Sequence, residues 1–379
     1  MTTDITINIS DPIWGSGGVT RQLGGKINAY THTISAMGGF DTAQFSVADN
    51  QQGIEEWLQN GVGQHVEVFG ESIDIAWEGF VNSITANLGT VSVTLGPLVD
   101  VSNRVRVNYQ TVTYNTNPPI GGDNATTSDA DGAGSQGLYG VLERTLSGGV
   151  LTSANADIVR DTYLGEYKLP QTSATLNTSG TGQNLSVTIE CKGYYHLLSK
   201  YYYTSGSTGT QNASAKLTAI LGADPSSRFS SDYSQVSTNA LQVGQQETGE
   251  RDAWTIISEI VANGDASNNR HLFGVYTSQI ASYGAIPDSR EYLYSLRDPA
   301  RRIKDLAGNE VRYWNIRPGK WLYLSDFIFG YLGPSDLRRD PRYIFIESVT
   351  YTAPWSISVN GGLTGKLSQI LAQQGLGGI

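Results

Sequence analysis

The feature that most constrains this chain is an echo between its two ends. Phe80-Val81-Asn82-Ser83-Ile84-Thr85 and Phe345-Ile346-Glu347-Ser348-Val349-Thr350 share one order of apolar, polar and hydroxyl residues. Each hexamer is followed by a turn-like interval and a second alternating stretch, closing at Gly96 and Gly361. Upstream, Gly63-Gln64-His65-Val66-Glu67-Val68 parallels Gly319-Lys320-Trp321-Leu322-Tyr323-Leu324. Chance gives such likeness too, because every half-buried strand repeats its side-chain pattern each second residue. The alternative is a duplicated β-barrel. The expected fold is then mainly β (α+β), with two tube-like β-barrel domains flanking a mixed α/β middle region.

Alternation predicts early strands over Ile5–Ile9, Ala43–Ala48, His65–Phe69, Trp77–Thr85 and Thr90–Leu95. Between them Asp49 is placed to cap a short helix that carries Ile54, Trp57 and Leu58 on one face and stops at Gly61. Asn115–Gly137 holds Pro118-Pro119, Gly121-Gly122 and a polar run without a hydrophobic period, which marks a boundary. The expected division is an N-terminal barrel over 1–114, a Gly/Pro/Ser/Thr-rich loop over 115–137, a mixed α/β middle over 138–264 and a C-terminal barrel over 265–379.

In the middle, Leu138, Leu142 and Leu146 before Gly148-Gly149 predict a helix, as does Asp157–Leu164. Leu185–Cys191 reads as a strand, and Glu250–Asn263 as a helix with Trp254, Ile257 and Val261 in its stripe. Strands are expected again at His271–Tyr276, Tyr292–Leu296, Trp321–Leu324, Tyr343–Thr352 and Trp355–Val359, then a terminal helix over Leu363–Gln373.

Composition narrows the chemistry. With 44 glycines in 379 residues but no triplet period, a collagen-like rod is excluded, and 21 tyrosines argue against wholesale disorder. A lone Cys191 rules out an intramolecular disulfide and a thiolate zinc site, and His32, His65, His196 and His271 are scattered. Asp129-Ala130-Asp131-Gly132 fails as a calcium loop because Thr127 and Leu138 stand where acids are needed. No nucleophile elbow or phosphate-binding glycine loop occurs. A glycan hydrolase would need two carboxyls about 5–10 Å apart in a cleft, whereas these acids fall mainly in turns and at alternating strand positions. No metal, cofactor or enzymatic activity is therefore expected. No apolar run approaches the ~18 residues of a membrane span, and the first residues do not read as a secretory leader.

The formal net charge of −10 is unevenly spread. Residues 1–100 hold eleven acids against Arg21 and Lys26, whereas 290–342 hold eleven basic residues against seven acids. This describes either two solvated surfaces or an acidic and a basic face built for different partners. Aromatic residues gather at Tyr194, Tyr195, Tyr201, Tyr202 and Tyr203. Trp314, Trp321, Arg338 and Arg339 fall in the basic stretch. Tyr, Trp and Arg dominate interface hot spots, so these nine are candidate interface residues. The tyrosine run equally suits a strand-to-helix junction packed on a sheet.

Several strings together resemble the hub proteins of bacteriophage tails, the family built like the baseplate hub of contractile-tailed phages. Gly39-Phe40-Asp41-Thr42-Ala43-Gln44-Phe45-Ser46-Val47 before the Trp57 helix is similar to that family's first barrel, and Trp77-Glu78-Gly79-Phe80-Val81 to its recurring strand. Gly96-Pro97-Leu98-Val99-Asp100, with Asn103-Arg104-Val105 and Tyr109, resembles the link leaving that barrel. Glu190-Cys191-Lys192-Gly193-Tyr194-Tyr195-His196 and Arg317-Pro318-Gly319-Lys320-Trp321 resemble its middle and last domains.

The likeness implies a homotrimer whose six barrels form a ring between a six-fold tail tube and a three-fold fibre or spike, in the virion at the distal end of the tail. It implies the tail tube or distal tail protein, the tape-measure protein and the central fibre or spike as partners. DNA would meet it only in non-specific transit. With the acidic N-terminal stretch, it makes Glu67, Glu71, Asp74 and Glu78 candidate lumen-facing residues whose charge keeps DNA from adhering. The alternative is a distal tail protein or receptor-binding fibre module, and a glycan-degrading virion enzyme stands behind both.

Overall fold

Alternation in the sequence becomes a mainly β (α+β) fold built on one large sheet. The computed structural model describes residues 5–12, 21–23, 27–70, 74–113, 120–176, 185–267, 269–287, 289–295, 297–299, 302–312, 315–325, 343–353 and 356–361. The N-terminal third contributes β1 (Thr6–Ser10), β2 (Arg21–Leu23), β3 (Ile27–Ser35), β4 (Gly38–Ala48), α1 (Gln51–Asn60), β5 (His65–Phe69), β6 (Ile75–Leu88) and β7 (Val91–Leu95). Alternate positions turn inward: Ile7 and Ile9 in β1, Tyr30, His32 and Ile34 in β3, Phe45 and Val47 in β4. Asn50, one residue beyond the expected Asp49, caps α1 by accepting from the Gly53 amide at 2.9 Å, and Ile54 and Trp57 are buried beneath it.

The middle holds β8 (Arg104–Thr113), β9 (Ile120–Thr126), β10 (Ala130–Asp131), α2 (Ala133–Tyr139), β11 (Glu143–Leu151), α3 (Ser153–Tyr167), β12 (Thr172–Leu176) and β13 (Leu185–Lys192). Two expectations are corrected here. The leucine-spaced helix ends at Tyr139, and the residues after it form β11, parallel to β8. A four-residue spacing fits period two as well as 3.6, and Gly148-Gly149 sits at a register shift of β11 instead of stopping a helix. The turn-rich segment 115–137 is not a bare loop, since β9 pairs antiparallel with β8 and α2 comes after it.

The rest comprises β14 (Tyr202–Ser205), β15 (Thr210–Asn212), α4 (Ala213–Gly222), β16 (Gln242–Gly244), β17 (Glu247–Asp252), α5 (Ala253–Asn263), β18 (His271–Val275), β19 (Ala281–Ala285), β20 (Arg290–Tyr294), β21 (Lys304–Asp305), β22 (Trp321–Leu324), β23 (Tyr343–Thr352) and β24 (Ser356–Gly361). α5 starts where Asp252 accepts from the Thr255 amide at 2.9 Å, so the acids before it belong to β17. The expected helix over Leu363–Gln373 lies outside the described residues.

Both ends of the chain share the large sheet, sixteen-stranded among the described residues, whose main path runs β2-β1-β5-β6-β13-β4-β3-β23-β22-β20-β21. β13 lies between β4 and β6, with Ile189 opposite Phe45 on one side and Ile84 on the other. The middle segment thus completes the N-terminal sheet instead of standing apart from it.

The echo is a repeated hairpin. His65 faces Phe80 across β5 and β6, and Trp321 faces Phe345 across β22 and β23, the same pairing at the same places in the motif. The Gly63 amide donates to Val81 O at 2.9 Å and the Val81 amide to Gln64 O at 2.9 Å. In the second hairpin Gly319 donates to Ile346 O at 2.8 Å and Ile346 to Lys320 O at 3.0 Å. Gly63 and Gly319 enter with φ of +87° and +82°, a region that penalises any side chain.

Each of Gly63→Ala and Gly319→Ala is expected to lower stability by roughly 1–2 kcal/mol. At Gly319 the new Cβ would also meet the Leu272 side chain at 2.7 Å. Urea midpoints measure this, and unchanged midpoints would contradict the shared hairpin entry.

Candidate functional site

The residues picked out from sequence divide into buried ties and open surface. Glu78, a candidate lumen acid, is only 1% exposed. Its carboxylate accepts from the Ser278 amide at 2.6 Å and from the Gln279 side-chain amide. These donors come from a turn in which Ser278 and Gln279 adopt φ of +59° and +55°. Glu78 therefore holds a strained turn two hundred positions away and does not face a lumen, since that turn covers the carboxylate. Burial raises its pKa, against the pull of nearby His65 and the two donors.

Glu67 is half-buried, 3.5 Å from His65 Nε2, and hydrogen bonding from His65 holds its carboxyl below the usual range. Asp74 is exposed, and Glu71 lies outside the described residues.

The tyrosine segment is largely core. Tyr194, 2% exposed, sets its hydroxyl 2.6 Å from His65 Nδ1 with the rings stacked, and Tyr201 and Tyr203 are also buried. These three are not interface residues of the chain: the 3-10 helix over Tyr194–Lys200 directly after β13 turns Tyr194 inward, and β14 does the same for Tyr203. Tyr195 is half-buried against Trp254 and donates to Asp41 Oδ1 at 2.8 Å, the oxygen that His196 Nε2 also meets at 2.8 Å. Burial raises the Asp41 pKa, but these two partners outweigh it and hold the carboxyl below its ordinary value.

Tyr202 stays partly exposed with the Arg106 guanidinium 5.9 Å from its ring centre. Trp321 is half-buried and donates to Pro287 O at 2.9 Å. Trp314, Arg338 and Arg339 lie outside the described residues.

The open apolar surface lies elsewhere, where sequence reasoning did not look. Ile158 (62% exposed), Val159 and Tyr167 on α3 stand in solvent, as do Leu138, Leu169 and Leu176 (68%). Of α3's residues only Ala156 is fully buried, and every residue of β12 is exposed. The available signal was an adjacent Ile158-Val159 pair on a helix without an inward stripe.

A second open feature is a cleft of about 410 Å³ between the β18–β19 hairpin and residues 317–320. Arg317 lines it, its guanidinium 5.7 Å from the Phe40 ring centre and its Nη1 buried without a hydrogen-bond partner. Burial, with Arg317 adding a charge, pushes His32 down to about 3; its Nδ1 lies 2.8 Å from the Tyr30 hydroxyl and its ring packs on Tyr351. The Cys191 thiol is buried and pushed up by desolvation. Among the described residues no three His, Cys, Asp or Glu side chains are grouped for a metal, and no helix is long and apolar enough to cross a membrane.

Two pH effects result. Between about pH 6.5 and pH 3 the unfolded chain protonates at His32 while the native chain does not, so native stability falls as pH drops through that window. His32→Gln should flatten that slope in urea unfolding at stepped pH, and an unaltered slope would contradict it. Asp41 acts lower: its stabilisation is present above the ordinary carboxylate pKa and lost as pH falls through its depressed value. Asp41→Asn is expected to cost about 1–2 kcal/mol at neutral pH and progressively less in acid.

No family model and no curated protein matches the chain. Solved structures do resemble it. The tail protein from Neisseria meningitidis MC58 is 7% identical, with a TM-score of 0.43 over 92% of this chain and 91% of that one. Prophage tail protein gp18 from Listeria monocytogenes EGD-e is 10% identical, with a TM-score of 0.40 over 98% of both chains. The 43 kDa tail protein of prophage MuSo2 from Shewanella oneidensis is 8% identical, with a TM-score of 0.41 over 94% of this chain and 96% of that one.

Proposed function

We propose that this chain is the structural hub of a phage tail tip or baseplate. Three copies form a ring that adapts a six-fold tail tube to a three-fold fibre or spike and serves as a conduit for DNA ejection. The observation that carries this reading is the repeated hairpin, which gives each chain two units of the same register. Three chains then offer six near-equivalent units while keeping three-fold symmetry. The resemblance of the sequence to tail hubs points the same way.

The exposed Ile158 and Val159 of α3 and the exposed Leu176 of β12 fit burial between subunits, since exposed large apolar side chains are a common mark of a contact surface. The role is structural, in the virion at the distal end of the tail. Its neighbours are the tail tube or distal tail protein, the tape-measure protein and the central fibre or spike. Of the acids considered for the lumen, Glu67, Glu71 and Asp74 keep that role in this proposal, and DNA passes without specific contact.

Sedimentation of the purified chain should give three times the 40.8 kDa subunit mass, and a stable monomer at micromolar concentration would overturn the trimer. Ile158→Glu should dissociate the particle while changing subunit stability by no more than about 0.5 kcal/mol. A trimer indifferent to that charge would remove α3 from the interface.

A further inference from the structure

We propose that the cleft over Arg317 receives a carboxylate side chain from a second copy of this chain, each subunit neutralising the half-buried guanidinium of its neighbour. The proposal deepens the trimer reading and rests on it. Its starting point is a cation without a counter-ion. Among the described residues no carboxylate pairs with the Arg317 guanidinium, whose Nη1 is buried without an acceptor and whose neighbour is the face of Phe40. Arg228, which is fully buried, is by contrast paired through Nη2 and Nε with the equally buried Asp224, although its own Nη1 also lacks a partner. Leaving a guanidinium desolvated and unpaired is costly, and a ring face offsets only part of that cost.

The cleft suits a protein carboxylate. Its volume of about 410 Å³ falls within the usual range for ligand-sized recesses. Leu272, Phe273, Tyr276 and Pro287 give it apolar walls, and among the described residues no Asp or Glu lines it. A planar guanidinium in such a setting is matched by one carboxylate through paired hydrogen bonds. A nucleic-acid backbone is instead met by rows of accessible cations, and Lys320 at this rim is already held by Glu291 at 2.9 Å.

Charge and symmetry select a second copy as the donor. Residues 1–100 carry eleven acids against two basic residues, and 290–342 carry eleven basic residues against seven acids. A three-fold ring joins subunits head to tail, so its interface needs two different surfaces on each chain. The two hairpins differ at this point. Arg317 stands two residues before Gly319, where the first hairpin has Gly61 packed against Trp57 and Ile84. The repeat thus carries its cation on one copy of the motif only.

The test monitors assembly of the full chain on dilution, with thermal melting alongside. Arg317→Met should raise the concentration at which trimers dissociate by roughly thirty-fold or more, with a melting temperature equal to or above wild type because an unpaired cation has been removed. Should Arg317→Met melt early, Ala285→Trp decides: it fills the cleft from an exposed position and leaves Arg317 intact. Weakened assembly by Ala285→Trp supports the proposal, and assembly at wild-type dilution overturns it. Trimers of Arg317→Met that persist at wild-type dilution overturn the cleft proposal and leave the trimer standing. A monomeric wild-type chain overturns the trimer and the cleft proposal with it.

Discussion

The main-chain ladder of β13 is the interaction on which the rest of this structure depends. Leu185–Lys192 hydrogen-bonds along both edges, to β4 on one side and β6 on the other. Without it those two strands would present unpaired amides and carbonyls in the middle of the sheet, a cost no side chain could meet. The ladder also aims the segment beyond it. The 3-10 helix directly after β13 drops Tyr194 onto His65 and sets Tyr195 and His196 on Asp41. Just before β14, Tyr201 O accepts from the Ala253 amide at 2.7 Å and ties in the start of α5. A strand drawn from the middle of the sequence thus fastens the N-terminal sheet to the helices behind it.

Much of this sheet was legible in the sequence, because alternation writes burial directly into residue order. His65–Phe69, Trp321–Leu324 and Tyr343–Thr352 form strands over the expected residues, and the hairpin echo corresponds to paired registers. β3 was missed because His32 occupies an inward position between Tyr30 and Ile34, a polar residue where the pattern needs an apolar one. Its partners, the Tyr30 hydroxyl and the Tyr351 ring, lie in β3 itself and across the sheet in β23.

The candidate sites were less legible, and the reason is long-range. Tyrosines suit cores and interfaces equally, and only the position of a hydroxyl partner separates the two. For Tyr194 that partner is His65, more than a hundred residues earlier. Glu78 looked like a strand acid on a solvent face, yet the turn that buries it arrives two hundred residues later. The exposed face of α3 left a weaker trace, since nothing in a helix sequence says whether a neighbour covers it.

The repeated hairpin, the exposed Ile158 and Val159 of α3 and the Arg317 cation, unpaired among the described residues, meet in the proposal that the chain is complete only as a ring. The most direct test is electron cryomicroscopy of the purified particle. The account predicts three-fold symmetry with the β5–β6 and β22–β23 hairpins alternating at one radius, so that six near-equivalent units surround a central channel. A particle in which the two hairpins sit at different radii, or that lacks three-fold symmetry, would contradict it.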